Sequence, residues 1–119
     1  MSVKVKPGVR FDVIAPGGYL ILAAIKAASK ELGLDLTITS GTDGAHSGPK
    51  DPHKTGEAYD VRSHDFSHEQ KAQILEVIMG RLEHGRFYGF LEGMNTPTEH
   101  FHCQRSKGTT FSAEEMLNA

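Results

Sequence analysis

His53, Asp60, His100 and His102 are of the residue types that hold a borderline-soft divalent cation through imidazole nitrogen and carboxylate oxygen. The stretch DPHKTGEAYDVRS, residues 51–63, places His53 seven positions before Asp60, which stands in a segment with strand character. Carboxylates are depleted in strand interiors, where a half-buried charge needs a partner. Side chains alternate along a strand, so Ala58, Asp60 and Arg62 share one face while Tyr59 and Val61 take the other. In TEHFHCQ, residues 98–104, the same rule sends His100 and His102 to one face and Phe101 and Cys103 to the core. Two adjacent strands would then present Asp60 and a histidine pair to each other, with Gly56 permitting the turn that brings in His53. A His-Phe-His alternation also suits a solvated face. What favours a metal is the combination of a glycine-bearing loop, a strand aspartate and a later Glu-x-x-His. A catalytic zinc centre needs three such protein ligands and one open position for water.

The elements that must position these residues can be read along the chain. A short strand is expected around Val9 to Ile14, then a break at Pro16-Gly17-Gly18 and a helix from about Tyr19 to Leu32. Leu20, Ala24, Ala27, Ala28 and Leu32 form its apolar stripe, and Gly33 sits where a C-terminal cap belongs. LDLTITS, residues 34–40, alternates like a half-buried strand. Residues 41–56, rich in Gly, Pro, Asp, Ser and Lys, read as a long loop of the kind that is usually functional. After the 57–63 strand, Ser67 and Gln70 form a capping box that opens a second helix, expected to end near His84-Gly85. Ile74, Leu75, Ile78, Met79 and Leu82 make its buried stripe. RFYGFLEG and TEHFHCQ supply two more strands, and SAEEMLNA a final helical turn. The expected fold class is α+β: a small, mainly antiparallel sheet, helices packed on one face, and a zinc site on the other.

His53-x-x-Gly56-x-Ala58-x-Asp60 followed by Glu99-x-x-His102 resembles the signature of the D-Ala-D-Ala carboxypeptidase and dipeptidase family of zinc peptidases. That family shares its fold with lysostaphin-type peptidases and the hedgehog signalling domain, and it includes phage-type L-alanyl-D-glutamate endopeptidases. The likeness extends over about residues 36–104, and TSGTDGAHSGPKDPHKTGEAYDVRS looks closest to the small phage members. It implies one zinc per chain, ligated by His53, Asp60 and His102, with Glu99 as catalytic base. Strand parity puts Glu99 on the face opposite His102, so this role requires a kink near Pro97. His100, on the same face as His102, is the substitute ligand and a substrate-binding candidate.

Ser40-Gly41-Thr42-Asp43 departs from the Ser-Gly-Tyr-Arg of many family members, whose arginine helps to stabilise transition-state charge. His46 is the preferred replacement and the second catalytic candidate; Lys50 and Arg62 are alternatives and candidate substrate contacts. Asp43 could instead cap a turn. His64, His68 and His84 are expected to face solvent, and Cys103 to lie in the core.

Composition narrows the function classes. At 119 residues the chain is read as one zinc peptidase domain spanning 1–119. A net charge of −2 gives no electrostatic footprint for nucleic acid or an anionic membrane. A lone cysteine excludes an internal disulfide and a cysteine-based zinc cluster, and the absence of His-Glu-x-x-His excludes a thermolysin-like helical site. No run of about 18 apolar residues is present to span a membrane. Lys26 and Lys30 interrupt YLILAAIKAA, so a signal peptide is rejected and synthesis in the cytoplasm, with action on the cell wall, is expected. The expected partner is a peptidoglycan stem peptide cut next to a D-residue, by an L-Ala-D-Glu endopeptidase or alternatively a D-Ala-D-Ala carboxypeptidase. A non-catalytic, metal-stabilised binding module of the same fold is the reading from another class.

Overall fold

The computed structural model describes residues 1–44 and 48–119. In chain order the elements are β1 (Val3–Val5), α1 (Pro16–Leu32), β2 (Leu36–Ser40), β3 (Ala58–Arg62), α2 (His68–Gly80), β4 (Phe87–Glu92), β5 (His100–Arg105) and α3 (Ala113–Leu117). The strands form one sheet in the order β1-β2-β3-β5-β4, with β1 parallel to β2 and every other pair antiparallel. The α+β reading therefore holds.

Alternation in the strands divides the sheet into two faces. Leu36 and Ile38 of β2, Tyr59 and Val61 of β3, and Phe101 and Cys103 of β5 are buried against Ile21, Ala24, Ile25 and Ala28 of α1 and Ile74 and Ile78 of α2. Burial pushes the Cys103 thiol up to about 12, so it behaves as a small apolar core residue. The helices begin and end where local chemistry dictates. Pro16 occupies the first turn of α1, and Gly33 closes it at φ 66 with its N–H donating to Ser29 O. Ser67 and Gln70 cap α2 reciprocally, each side chain accepting from the other residue's backbone N–H.

Two expectations are corrected. The first strand lies at Val3–Val5, not at residues 9–14. Gly8, at φ 92, turns the chain away, and Arg10 O then accepts from Thr42 N at 2.8 Å and from the Thr42 hydroxyl at 3.1 Å. The segment is thus spent on tethering the residue 41–43 turn instead of joining the sheet. Helix α2 stops at Gly80, and Gly85, at φ 88, belongs to the turn into β4.

One close approach fixes the entrance to β3. A Cβ on Gly18 would lie 1.8 Å from Gly56 O, and one on Gly56, at φ 75, would lie 2.2 Å from Val13 O. Only glycine allows the start of α1 to seat against the turn that joins His53 to β3. Ala15 N and the Tyr59 hydroxyl both donate to Gly56 O, at 3.2 and 3.3 Å.

Candidate metal centre

β3 and β5 pair so that Asp60 faces His102 and Arg62 faces His100, while His100 and His102 also lie opposite Glu92 and Phe90 of β4. The helix-free face of the sheet thereby receives Asp60, His100 and His102 from register alone. His53 arrives from the loop. Asp51 Oδ1 accepts the His53 amide at 2.9 Å, and the chain turns there so that the ring folds in over β3. The carboxylate of Asp60 is then ringed by imidazoles. Oδ1 lies 3.3 Å from His53 Nε2 and 2.9 Å from His102 Nδ1, and Oδ2 lies 3.6 Å from His100 Nε2. The His53 and Asp60 side chains are only 6% and 13% exposed, so this is a half-buried charge and not a solvated face.

The outer nitrogen of each ring is held by an acceptor. His53 Nδ1 sits 3.1 Å from Gly41 O, His100 Nδ1 2.7 Å from Thr98 O, and His102 Nε2 2.7 Å from Gln104 Oε1. A carbonyl oxygen can only accept, so each outer nitrogen carries the proton. A neutral ring then turns its inner lone pair toward the Asp60 carboxylate. Lone pair against carboxylate is repulsive unless a positive charge lies between them. The donor set therefore fits a divalent cation, with the outer contacts fixing tautomer and ring orientation as they do around ligating histidines. His53, Asp60 and His102 each bring one ligand atom within 4.8 Å of the others, and so do Glu92, His100 and His102. A proton can fill the same gap. Burial works to raise the Asp60 carboxyl, but hydrogen bonds with His102 and His53 outweigh it and hold the group well below the usual carboxylate range. Burial likewise works to lower His102, and its contacts with Asp60 and Gln104 raise it instead.

The cleft over this cluster has a volume of about 490 Å³ and is walled by Asp51, Tyr88, Phe90, Glu92 and Gln104. Tyr88 and Phe90 are exposed along β4, with their rings 6.4 Å apart and 11° from parallel, and Phe90 also packs on His102. Glu92 and Gln104 were not singled out in the sequence, although parity on β4 and β5 puts them on the face of His100 and His102.

Comparison of the chain with protein-family models, curated proteins and solved structures finds no match.

Glu99 is not part of the cleft, and its assignment as catalytic base is corrected. It sits between β5 and a turn in which Glu99 N donates to Thr96 O at 3.1 Å, and its carboxylate points to the side of α2, as does the Phe101 side chain. Its Oε1 accepts from Ser63 Oγ at 2.7 Å and Lys71 Nζ at 2.5 Å, and its Oε2 from Asn95 N at 2.9 Å. Lys71 foremost, then the Asn95 amide and the Ser63 hydroxyl, hold its carboxyl down at about 2, from an ordinary 4.5. His46 lies outside the described residues. Lys50 borders a neighbouring hollow that shares Tyr88 and Gln104 with the cleft, while Arg62 lies opposite His100 in the sheet. Lys54 donates to Thr42 O at 2.9 Å. Asp43 accepts from Gly41 N at 2.8 Å and Arg10 N at 3.2 Å, the turn-capping role open to it from sequence. His64, His68 and His84 are exposed. Among the described residues, no helix is long and apolar enough to cross a membrane.

Proposed function

We propose that the chain is a zinc peptidase hydrolysing peptidoglycan stem-peptide amides next to D-residues, an endopeptidase of the L-Ala-D-Glu type acting on the cell wall. The observation that carries this reading is the convergence of His53, Asp60 and His102 on the floor of an open cleft, with their inner donor atoms directed at one another. Bound there, zinc would supply a Lewis acid that polarises a carbonyl and makes water a nucleophile near neutral pH. The protein's part is to hold the three donors in fixed tautomers, seat an extended peptide along Tyr88 and Phe90, and move one proton from water to the leaving amine. With Glu99 behind the sheet, Asp51 and Glu92 are, among the described residues, the cleft-wall carboxylates to which that proton would pass. A D-Ala-D-Ala carboxypeptidase is the alternative within this class. It would need a cation to seat a free carboxylate, and Lys50 and Arg62 are its candidates.

The location of Glu99 favours a second reading, a metal-stabilised module that binds peptide without cutting it. Digestion of purified peptidoglycan, with mass spectrometry of the products, separates the two and names the bond. New amino termini that vanish on chelation support the peptidase. A zinc-loaded chain that releases none from any peptidoglycan chemotype leaves the binding module.

A further inference from the structure

The metal cleft does not end at Gln104. Gln104 and Tyr88 also wall a second hollow of about 590 Å³, which continues the cleft toward the end of β5. Gln104 stands two positions beyond His102 on the same face of the strand. The hollow therefore opens about 7 Å from that ligand, the reach of two residues of extended chain. The two chambers carry opposite charge. Asp51, Asp60 and Glu92 stand in the cleft. The hollow is lined by Lys50, Arg105 and Lys107 and, among the described residues, by one carboxylate, Glu57. That carboxylate is already satisfied: Oε2 pairs with Arg105 Nε, and Oε1 accepts from Thr55 Oγ1 at 2.8 Å. Lys50 and Lys107 remain, and among the described residues no carboxylate pairs with either. They stand on two separate, braced turns. Asp51 N donates to Gly48 O at 3.1 Å around Lys50, which follows Pro49. Around Lys107, Thr109 Oγ1 donates to Ser106 O at 2.8 Å and Arg105 Nη1 to Thr109 O at 2.6 Å.

We propose that this hollow is the subsite for a free carboxylate of the substrate, within about two residues of the scissile bond, and that Lys50 and Lys107 set that specificity. The position relative to the bond rests on the peptidase reading; capture of the anion does not. A stem peptide offers two such groups, the α-carboxylate left free by a γ-linked D-Glu and the terminal carboxylate of D-Ala. The chemistry of recognition is the same for both, and the one that is seated separates the endopeptidase from the carboxypeptidase. Both lysines are exposed, so each contact changes affinity by a few-fold and is screened by salt.

The test uses the zinc-loaded chain and the synthetic peptide L-Ala-γ-D-Glu-L-Lys-D-Ala-D-Ala in three forms: unmodified, amidated at the D-Glu α-carboxylate, and amidated at the C-terminus. Affinity is read as KM where the peptide is cut, and as Kd by calorimetry where it is not. One of the two amides is expected to bind about tenfold more weakly than the unmodified peptide, with kcat little changed and the gap narrowing at high salt. Lys50→Glu and Lys107→Glu should each shrink that gap while zinc content and Tm stay at the wild-type values. Equal affinity for all three forms, or a gap that survives in full in both variants, would overturn the subsite; cleavage in the same runs would leave the peptidase standing. A gap without cleavage would keep the subsite and overturn the peptidase reading. Neither binding nor cleavage of any form would remove both.

Discussion

Asp60 and Glu99 are carboxylates on opposite faces of the same sheet, their side chains 13% and 3% exposed, and they are neutralised in opposite ways. Glu99 meets an ammonium, a hydroxyl and a backbone amide, all of which donate to it. Its charge is balanced by groups the chain itself supplies, and Asn95, held at φ 64, is fixed in the β4–β5 turn by that bond. Asp60 meets three imidazoles whose outer protons are already given to other acceptors. Its surroundings are complete only with a proton or a metal ion added. One carboxylate closes a structure; the other leaves a place.

The largest effect should come from exchanging the two roles. Asp60→Ala is expected to lower metal affinity by more than the roughly 10- to 100-fold lost when a supporting residue goes, with metal content after dialysis as the readout. Glu99→Gln should leave metal content intact, and loss of metal in that variant would break the contrast. Next comes Lys71→Met, which strands Glu99 without its cation in the packed side of the sheet. A clear fall in Tm with unchanged metal stoichiometry is expected; an unchanged Tm would mean the pair contributes nothing.

A smaller effect should appear in acid. Because folding holds Glu99 at about 2 against an ordinary 4.5, the unfolded chain takes up the proton first as pH falls. The stabilisation is full above about pH 5 and is lost progressively toward pH 2, and urea titrations of Glu99→Gln should show a flatter acid limb than wild type. The smallest change, Ser67→Ala, removes the α2 cap at about 1 kcal/mol and touches neither carboxylate, which sets the scale for a purely local loss.

The site was legible where a period of two governs. Parity alone assigned Asp60, His100 and His102 to the open face and Phe101 and Cys103 to the core, and it also placed Glu99 on the wrong side for a base. That warning outweighed the motif: the chain does turn around Pro97, where Glu99 N donates to Thr96 O, but the carboxylate still ends on Ser63 and Lys71. The capping pair at Ser67 and Gln70 was legible for the same reason, since its partners are three residues apart. What escaped was set by distant partners. β1 is three residues long with an edge lysine at its centre, too short for its alternation to stand out, and its pairing with Leu36–Ile38 depends on a crossover through α1. Residues 9–14 have strand-like composition but are claimed by Thr42, some thirty residues away. Glu92 and Gln104 needed only the parity already applied to their neighbours.

The pairing of Asp60 with His102 has a kinetic meaning as well. A slip of one residue between β3 and β5 would set Asp60 against an apolar neighbour and leave the imidazole on the other side. An ion that binds both strands therefore acts as a proofreader of their alignment, accepting one register and rejecting its nearest rival. Metal uptake during refolding would time the moment at which the middle of the sheet commits to its final pairing, rather than the moment at which the chain collapses.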